Sequence, residues 1–107
     1  MEKKNIYDKI PLSLQEELFT DLFTSDKVRI ERIVSDGHES NQEEWYDQKE
    51  GEWVILLEGK AGIRKYDGSI IDLKKGDYLF IPAHEKHQVA YTSKEPKAVW
   101  LAIFITV

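Results

Sequence analysis

The chain has 107 residues, 41% of them hydrophobic and 33% charged, with a formal net charge of −5 and no cysteine. That length suits one domain with a modest core, and the composition excludes the disordered and membrane-spanning classes. The absence of cysteine excludes disulfides, thiolate metal sites and a cysteine nucleophile, and the acidic balance gives no general attraction to nucleic acid.

The opening stretch MEKKNIYDKIP has no apolar run behind its lysines and does not read as a secretory leader. With the lack of cysteine, this leads us to expect a cytoplasmic protein. Residues 1–11 read as an arm ending at Pro11. The next segment, LSLQEELFTDLF, supports two readings. Ser13 and Glu16 have the spacing of a capping box that would start a helix, whereas Leu18–Phe23 has the make-up of a short strand before the turn Thr24–Lys27. Lys27–Val34 alternates as a half-buried strand, with Val28, Ile30 and Arg32 on one face and Arg29, Glu31 and Ile33 on the other. Ser35-Asp36-Gly37 breaks it. Residues 38–44 read as a polar loop in which His38 is solvated. A short strand at Trp45–Gln48 and a turn at Lys49–Gly51 then lead into the strong strand Glu52–Leu57.

Glu58-Gly59-Lys60 turns the chain into a strand over Ala61–Tyr66. Asp67-Gly68 is a hairpin signal, because a type I′ turn needs positive φ and glycine adopts it freely. Ser69–Leu73 returns as the partner strand, and Lys74–Asp77 turns again. Tyr78–Ile81 is a brief strand stopped by Pro82. His87–Thr92 is a strand, Ser93–Lys97 a loop and Ala98–Thr106 the last strand. The apolar run that contains it, Ala98–Val107, is far shorter than the roughly 20 residues a membrane helix needs. Its residues are apolar on both faces, so the outer face needs a cover. Either the N-terminal segment or a second subunit supplies one, and on this ground we expect a homodimer. About eight to ten short strands separated by turn chemistry predict an all-β antiparallel sandwich or barrel, without internal repeats.

Two stretches carry a family resemblance. Glu52-WVILLE-Gly59 is a Glu followed by six residues and a Gly, and Gly76-DYLFI-Pro82 is followed at the fifth position by His87. Together they resemble the two motifs of the cupin superfamily over roughly residues 37–91, with Gly37 opening the first. The wording around WYDQ, LLEGKA and GDYLFIPAHEKH is similar to a group of short bacterial single-domain cupins. The resemblance implies a jelly-roll barrel spanning residues 1–107 with a short N-terminal extension (1–26), often dimeric, with a site inside the barrel mouth. The chain departs from the family pattern in three places. The two histidines usual before the Glu fall at Trp45 and Asp47, or at Tyr46 and Gln48 in the other permitted spacing. The Gly expected two residues after Pro82 is His84, and the Asn expected after the metal-binding histidine is Tyr91.

The candidate site divides into two readings. In the first, Asp47, Glu52 and His87 form a mixed carboxylate–imidazole set for a divalent metal (Zn, Mn, Fe or Ni). His84 is then a fourth ligand or a proton-transfer residue. In the second, Glu52 is a satisfied hairpin-end carboxylate and His87 a hydrogen-bonded barrel histidine. The acidic run ESNQEEWYDQKE (39–50) reads as a solvated loop, or as a gate over the barrel mouth that disfavours anions. Trp45, Trp53, Tyr78, Phe80, Tyr91, Trp100 and Phe104 read mostly as core, with some lining a ligand pocket. No Ser/His/Asp grouping or glycine-rich phosphate loop is present, and no basic aromatic platform suggests nucleic acid. The expected function is a small-molecule-binding cupin, with a metal-dependent enzyme as its sharper form. The alternatives are a metal-free binding or sensing module and a purely structural dimeric partner.

Overall fold

The computed structural model describes residues 1–106, so the last residue of the apolar run, Val107, lies outside the described residues. Eight strands follow in chain order: β1 (Leu18–Thr24), β2 (Val28–Ser35), β3 (Gly51–Glu58), β4 (Lys60–Lys65), β5 (Ile70–Lys74), β6 (Tyr78–Ile81), β7 (His87–Thr92) and β8 (Ala98–Ile105). They form a five-stranded sheet, β1-β2-β8-β3-β6, and a three-stranded sheet, β5-β4-β7. Every pairing is antiparallel. This is the all-β, jelly-roll class expected from the sequence.

Of the two readings for residues 12–23, the strand is the one realised. Leu18 pairs with Val34 and Thr24 with Arg29, so β1 closes the edge of β2. A helix there would have left the ladder groups of β2 without partners, and long-range pairing outweighs a local cap signal. The strand expected at Trp45–Gln48 contracts to a single bridge between Tyr46 and His87.

Strand parity places the core. Across the larger sheet, Glu31 of β2, Ala102 of β8, Val54 of β3 and Leu79 of β6 lie in one row. Arg29, Phe104, Glu52 and Ile81 lie in the next row. These residues face inward, where Val54, Leu56, Trp100 and Phe104 pack against Ala61 and Ile63 of β4. The expectation that most of the aromatics are core is overturned. Trp100 and Phe104 are buried, but Tyr78 is 64% exposed, Phe80 55% and Tyr91 37%. Because Glu52, Val54 and Leu56 take the inner face, the pairs Trp53–Phe80 and Ile55–Tyr78 fall on the outer one. Tyr91 is turned outward by a bulge at Ala90, since Gly62 pairs with Tyr91 while Ile63 pairs with Val89. Position 62 is glycine for a steric reason: a Cβ there would run into the Tyr91 ring.

The N-terminal arm covers part of the outer face. Arg32, only 6% exposed, donates from Nη1 to the carbonyls of Ile6 at 3.0 Å and Asp8 at 2.6 Å. His38 is a tether rather than a solvated loop residue. Its Nδ1 accepts from the Asp36 N–H at 2.9 Å, so Nε2 carries the proton and donates to the Gln15 carbonyl at 3.0 Å. Among the described residues no helix is long and apolar enough to cross a membrane.

Candidate functional site

The two sheets line an open cavity of about 90 Å³. Its walls are largely apolar: Ile33 of β2, Val54 of β3, Ile63 of β4, Val89 of β7, and Trp100 and Phe104 of β8. Its polar lining is Tyr46, Gln48, Glu52 and His87, with Glu17 and Glu31 on the β1–β2 side.

The loop before β3 forms the rim of this cavity and is held down firmly. Gln88, 1% exposed, directs its amide Nε2 at the carbonyls of Asn41, Gln42 and Glu44 at 3.3, 2.9 and 3.0 Å. Its Oε1 accepts from Arg64. Tyr46 and His87 exchange both backbone hydrogen bonds, at 2.9 and 3.2 Å, and their rings stack with centroids 5.4 Å apart. The acidic run is therefore anchored, by the buried Gln88 amide and by backbone bonds from Ser40 to Val89 and between Tyr46 and His87. The sequence shows Gln88 only as a polar residue in an apolar strand, and nothing in the local pattern marks its partners.

The bridge fixes the register of the rim. Tyr46 and Gln48 face the cavity, and neither Trp45 nor Asp47 does. Trp45 packs edge-on against Tyr66 at 4.9 Å. Asp47 pairs with His84 at 2.8 Å on the outside, where their side chains are 42% and 65% exposed. His84 has φ of 64°, the left-handed conformation that the family's glycine would supply at that position. The four residues singled out from the sequence thus form two pairs. Glu52 and His87 share the cavity; Asp47 and His84 share the surface.

Within the cavity, Glu52 is 8% exposed and His87 6%. Burial pushes the Glu52 carboxyl above the usual carboxylate range, with the Gln48 hydrogen bond, His87 and Arg29 pulling the other way. Gln48 Nε2 donates to Glu52 Oε1 at 2.9 Å. His87 Nδ1 lies 2.8 Å from the Glu85 carbonyl, which can only accept. In the neutral ring the proton therefore sits on Nδ1, and the Nε2 lone pair faces Glu52 Oε1 at 4.0 Å. That separation is too long for a direct hydrogen bond, yet one donor atom can reach both. The Tyr46 hydroxyl is also pushed upward, by burial and by Glu17, Glu52 and Glu44.

A divalent metal does not fit this donor set. Catalytic metal sites commonly draw on three protein ligands, whereas here Glu52 and His87 stand with an amide N–H, from Gln48, aimed at the carboxylate. The Gln48 amide N–H is a donor and adds no ligand to the pair. Among the described residues, no group of three or more His, Asp or Glu side chains is placed to hold a metal.

Residues 32–104 match the family described as "Cupin domain". No curated protein sequence matches the chain. Among solved structures, a "putative mannose-6-phosphate isomerase" from Ralstonia eutropha JMP134 is 33% identical, with all of both chains covered and a TM-score of 0.95. A cupin superfamily protein from Desulfitobacterium hafniense is 26% identical over 92% of this chain and 84% of its own, with a TM-score of 0.75. The EutQ protein of Clostridium difficile is 18% identical over 84% of this chain and 68% of its own; at a TM-score of 0.69 it shares the fold.

Proposed function

We propose that this chain, which belongs to the cupin domain family, binds a small molecule in the cavity between its sheets without the help of a metal ion. The observation that carries this reading is the buried Glu52–His87 pair. It presents acceptors to an otherwise apolar cavity and lacks the further ligands a metal needs. A barrel packed solid would favour a purely structural role, whereas about 90 Å³ of space admits roughly six to nine non-hydrogen atoms. Apolar walls with a few convergent polar groups are the usual form of a ligand site. The substrate named for the Ralstonia eutropha relative, a phosphorylated sugar, is a poorer match here. Its dianion would face Glu17, Glu31 and Glu52.

The same reading includes a homodimer in the cytoplasm. The outer face of β3, β6 and β8 supports the dimer. It presents the outward pairs Trp53–Phe80 and Ile55–Tyr78 beside Ile103 and Ile105, with Tyr78 64% and Phe80 55% exposed. The cysteine-free sequence supports the compartment. A dimer at micromolar concentration in sedimentation velocity is the expected result, and a monomer would remove that part of the proposal.

Ligand binding is tested by two-dimensional NMR titration with a panel of small alcohols, amines and acids. Shifts confined to the Trp100 indole N–H and the amides of Glu52, His87 and Val89 are expected for at least one class. A panel that moves none of these signals would overturn the reading.

A further inference from the structure

The cavity is not electrically neutral. Glu17, Glu31 and Glu52 line it, and no lysine or arginine does. A second cavity adjoins it, sharing Glu17 and Tyr46, and adds Glu39 and Glu44. On the His87 side a further cavity carries Lys65 and Lys86 with Glu85; the cation that acts on Glu52 is Arg29, and its guanidinium is spent. It lies 4.2 Å above the Phe104 ring, with Nη1 on Glu31 at 2.8 Å and Nη2 on Glu50 at 3.0 Å. Glu17 and Glu52 are thus left without a cationic partner in the cavity.

Hydrogen-bond polarity points the same way, independently of charge. Glu52 Oε1 has one bond, from Gln48, and among the described residues Oε2 has none. His87, with its side chain 7% exposed, has Nδ1 occupied by the Glu85 carbonyl, so in the neutral ring Nε2 is an unpartnered acceptor facing Glu52 Oε1. Two acceptors 4.0 Å apart call for a ligand group that donates more than one hydrogen bond from a single atom. An ammonium does this with three N–H bonds, and a carboxylate or phosphate cannot.

We propose that the ligand is a small organic cation: a primary ammonium on a compact apolar body, its nitrogen bridging Glu52 and His87 Nε2 and its carbon chain against Ile33, Val54 and Trp100. This inference rests on the binding reading above and narrows it to a chemical class. The adjoining acidic cavity draws cations toward the mouth and turns anions away, so the acidic run acts as an electrostatic filter. Tyr46 stands at the boundary of the two spaces, its ring stacked on His87.

The test uses three probes of nearly equal size on the full chain: n-butylammonium, 1-butanol and butyrate, titrated by NMR at neutral pH. Butylammonium is expected to bind at least tenfold more tightly than butanol, and butyrate to leave the cavity signals unmoved. Glu52→Gln is expected to weaken butylammonium tenfold or more, and Asp47→Asn, outside the cavity, to leave its binding unchanged. Butanol binding as tightly as butylammonium, or butylammonium binding equally well to Glu52→Gln, would overturn the cation inference and leave a ligand cavity standing. Butyrate binding more tightly than butylammonium would overturn it in the same way. Failure of all three probes would overturn the inference and the binding reading together.

Discussion

The side-chain amide of Gln48 donates to the carboxylate of Glu52 at 2.9 Å. The two face each other because Tyr46 and Gln48 alternate inward along the rim while Trp45 and Asp47 alternate outward. In the family pattern, two histidines one residue apart precede the Glu, and the observed register puts those positions at Tyr46 and Gln48. The chain keeps the backbone of that motif and carries a donor where the pattern has a ligand.

Restoring the ligands should therefore restore metal affinity. The double variant Tyr46→His/Gln48→His is expected to bind close to one equivalent of zinc in equilibrium dialysis, through the new imidazoles together with Glu52 and His87. Zinc uptake no greater than that of the unmodified chain would show that the rim does not hold these positions toward Glu52.

Glu52 is expected to be a stability liability kept for binding. Its folded pKa is raised, chiefly by burial. Its favourable, protonated form is thus fully present below the ordinary carboxylate value and is lost as pH rises through the folded pKa. Glu52→Gln keeps an acceptor for Gln48 and removes the buried charge. At pH 7 the variant is expected to be more stable by about 1 kcal/mol, or about 4–8 °C in Tm. The gain should shrink to nothing at acid pH. Thermal unfolding from pH 4 to 8 checks this; a variant less stable than the parent at pH 7 would refute it.

His84 separates backbone from side chain. At φ of 64° a non-glycine residue is strained by roughly 1 kcal/mol, and the exposed Asp47 pair offsets little of that. His84→Gly should unfold at a denaturant midpoint equal to or above the parent's, and His84→Ala below both. The reverse order would mean that the Asp47 contact, not the conformation, governs this turn.

Gln88 holds the rim, so its loss should be felt there. Gln88→Leu strands the carbonyls of Asn41, Gln42 and Glu44 and the Arg64 contact. A cost of about 2–3 kcal/mol is expected from these unsatisfied groups. Hydrogen exchange should rise across residues 38–48 while β3 and β8 stay protected. Uniform loss of protection would place Gln88 in the global core instead.

Most of the strand order was legible in the sequence. Alternation and turn chemistry marked β2 through β8 to within a residue or two, because each is short, half-buried and bounded by Gly, Pro, Asp or Ser. Four things were not. The segment at 12–23 carried a cap signal and a strand signal of similar strength, and only pairing with β2 decides between them. The aromatics looked like core because hydrophobicity does not report which face a residue takes, and the bulge at Ala90 reverses the parity for Tyr91. The four candidate site residues were read as one cluster because the sequence could not say whether 45 and 47 or 46 and 48 turn inward. A long-range bridge from Tyr46 to His87 sets that register. Glu17 and Glu31 were missed as cavity residues: one lies before β1 and the other is masked within an ordinary alternating strand.

Metal content distinguishes a metal-free ligand cavity from a metal centre. Chain purified without chelator, then dialysed in turn against Zn, Mn, Fe and Ni, is expected to retain far less than one equivalent of each, with no difference between the parent, His87→Ala and Glu52→Gln. Near-stoichiometric metal in the parent, lost in both variants, would contradict it and make the Glu52–His87 pair half of a metal centre.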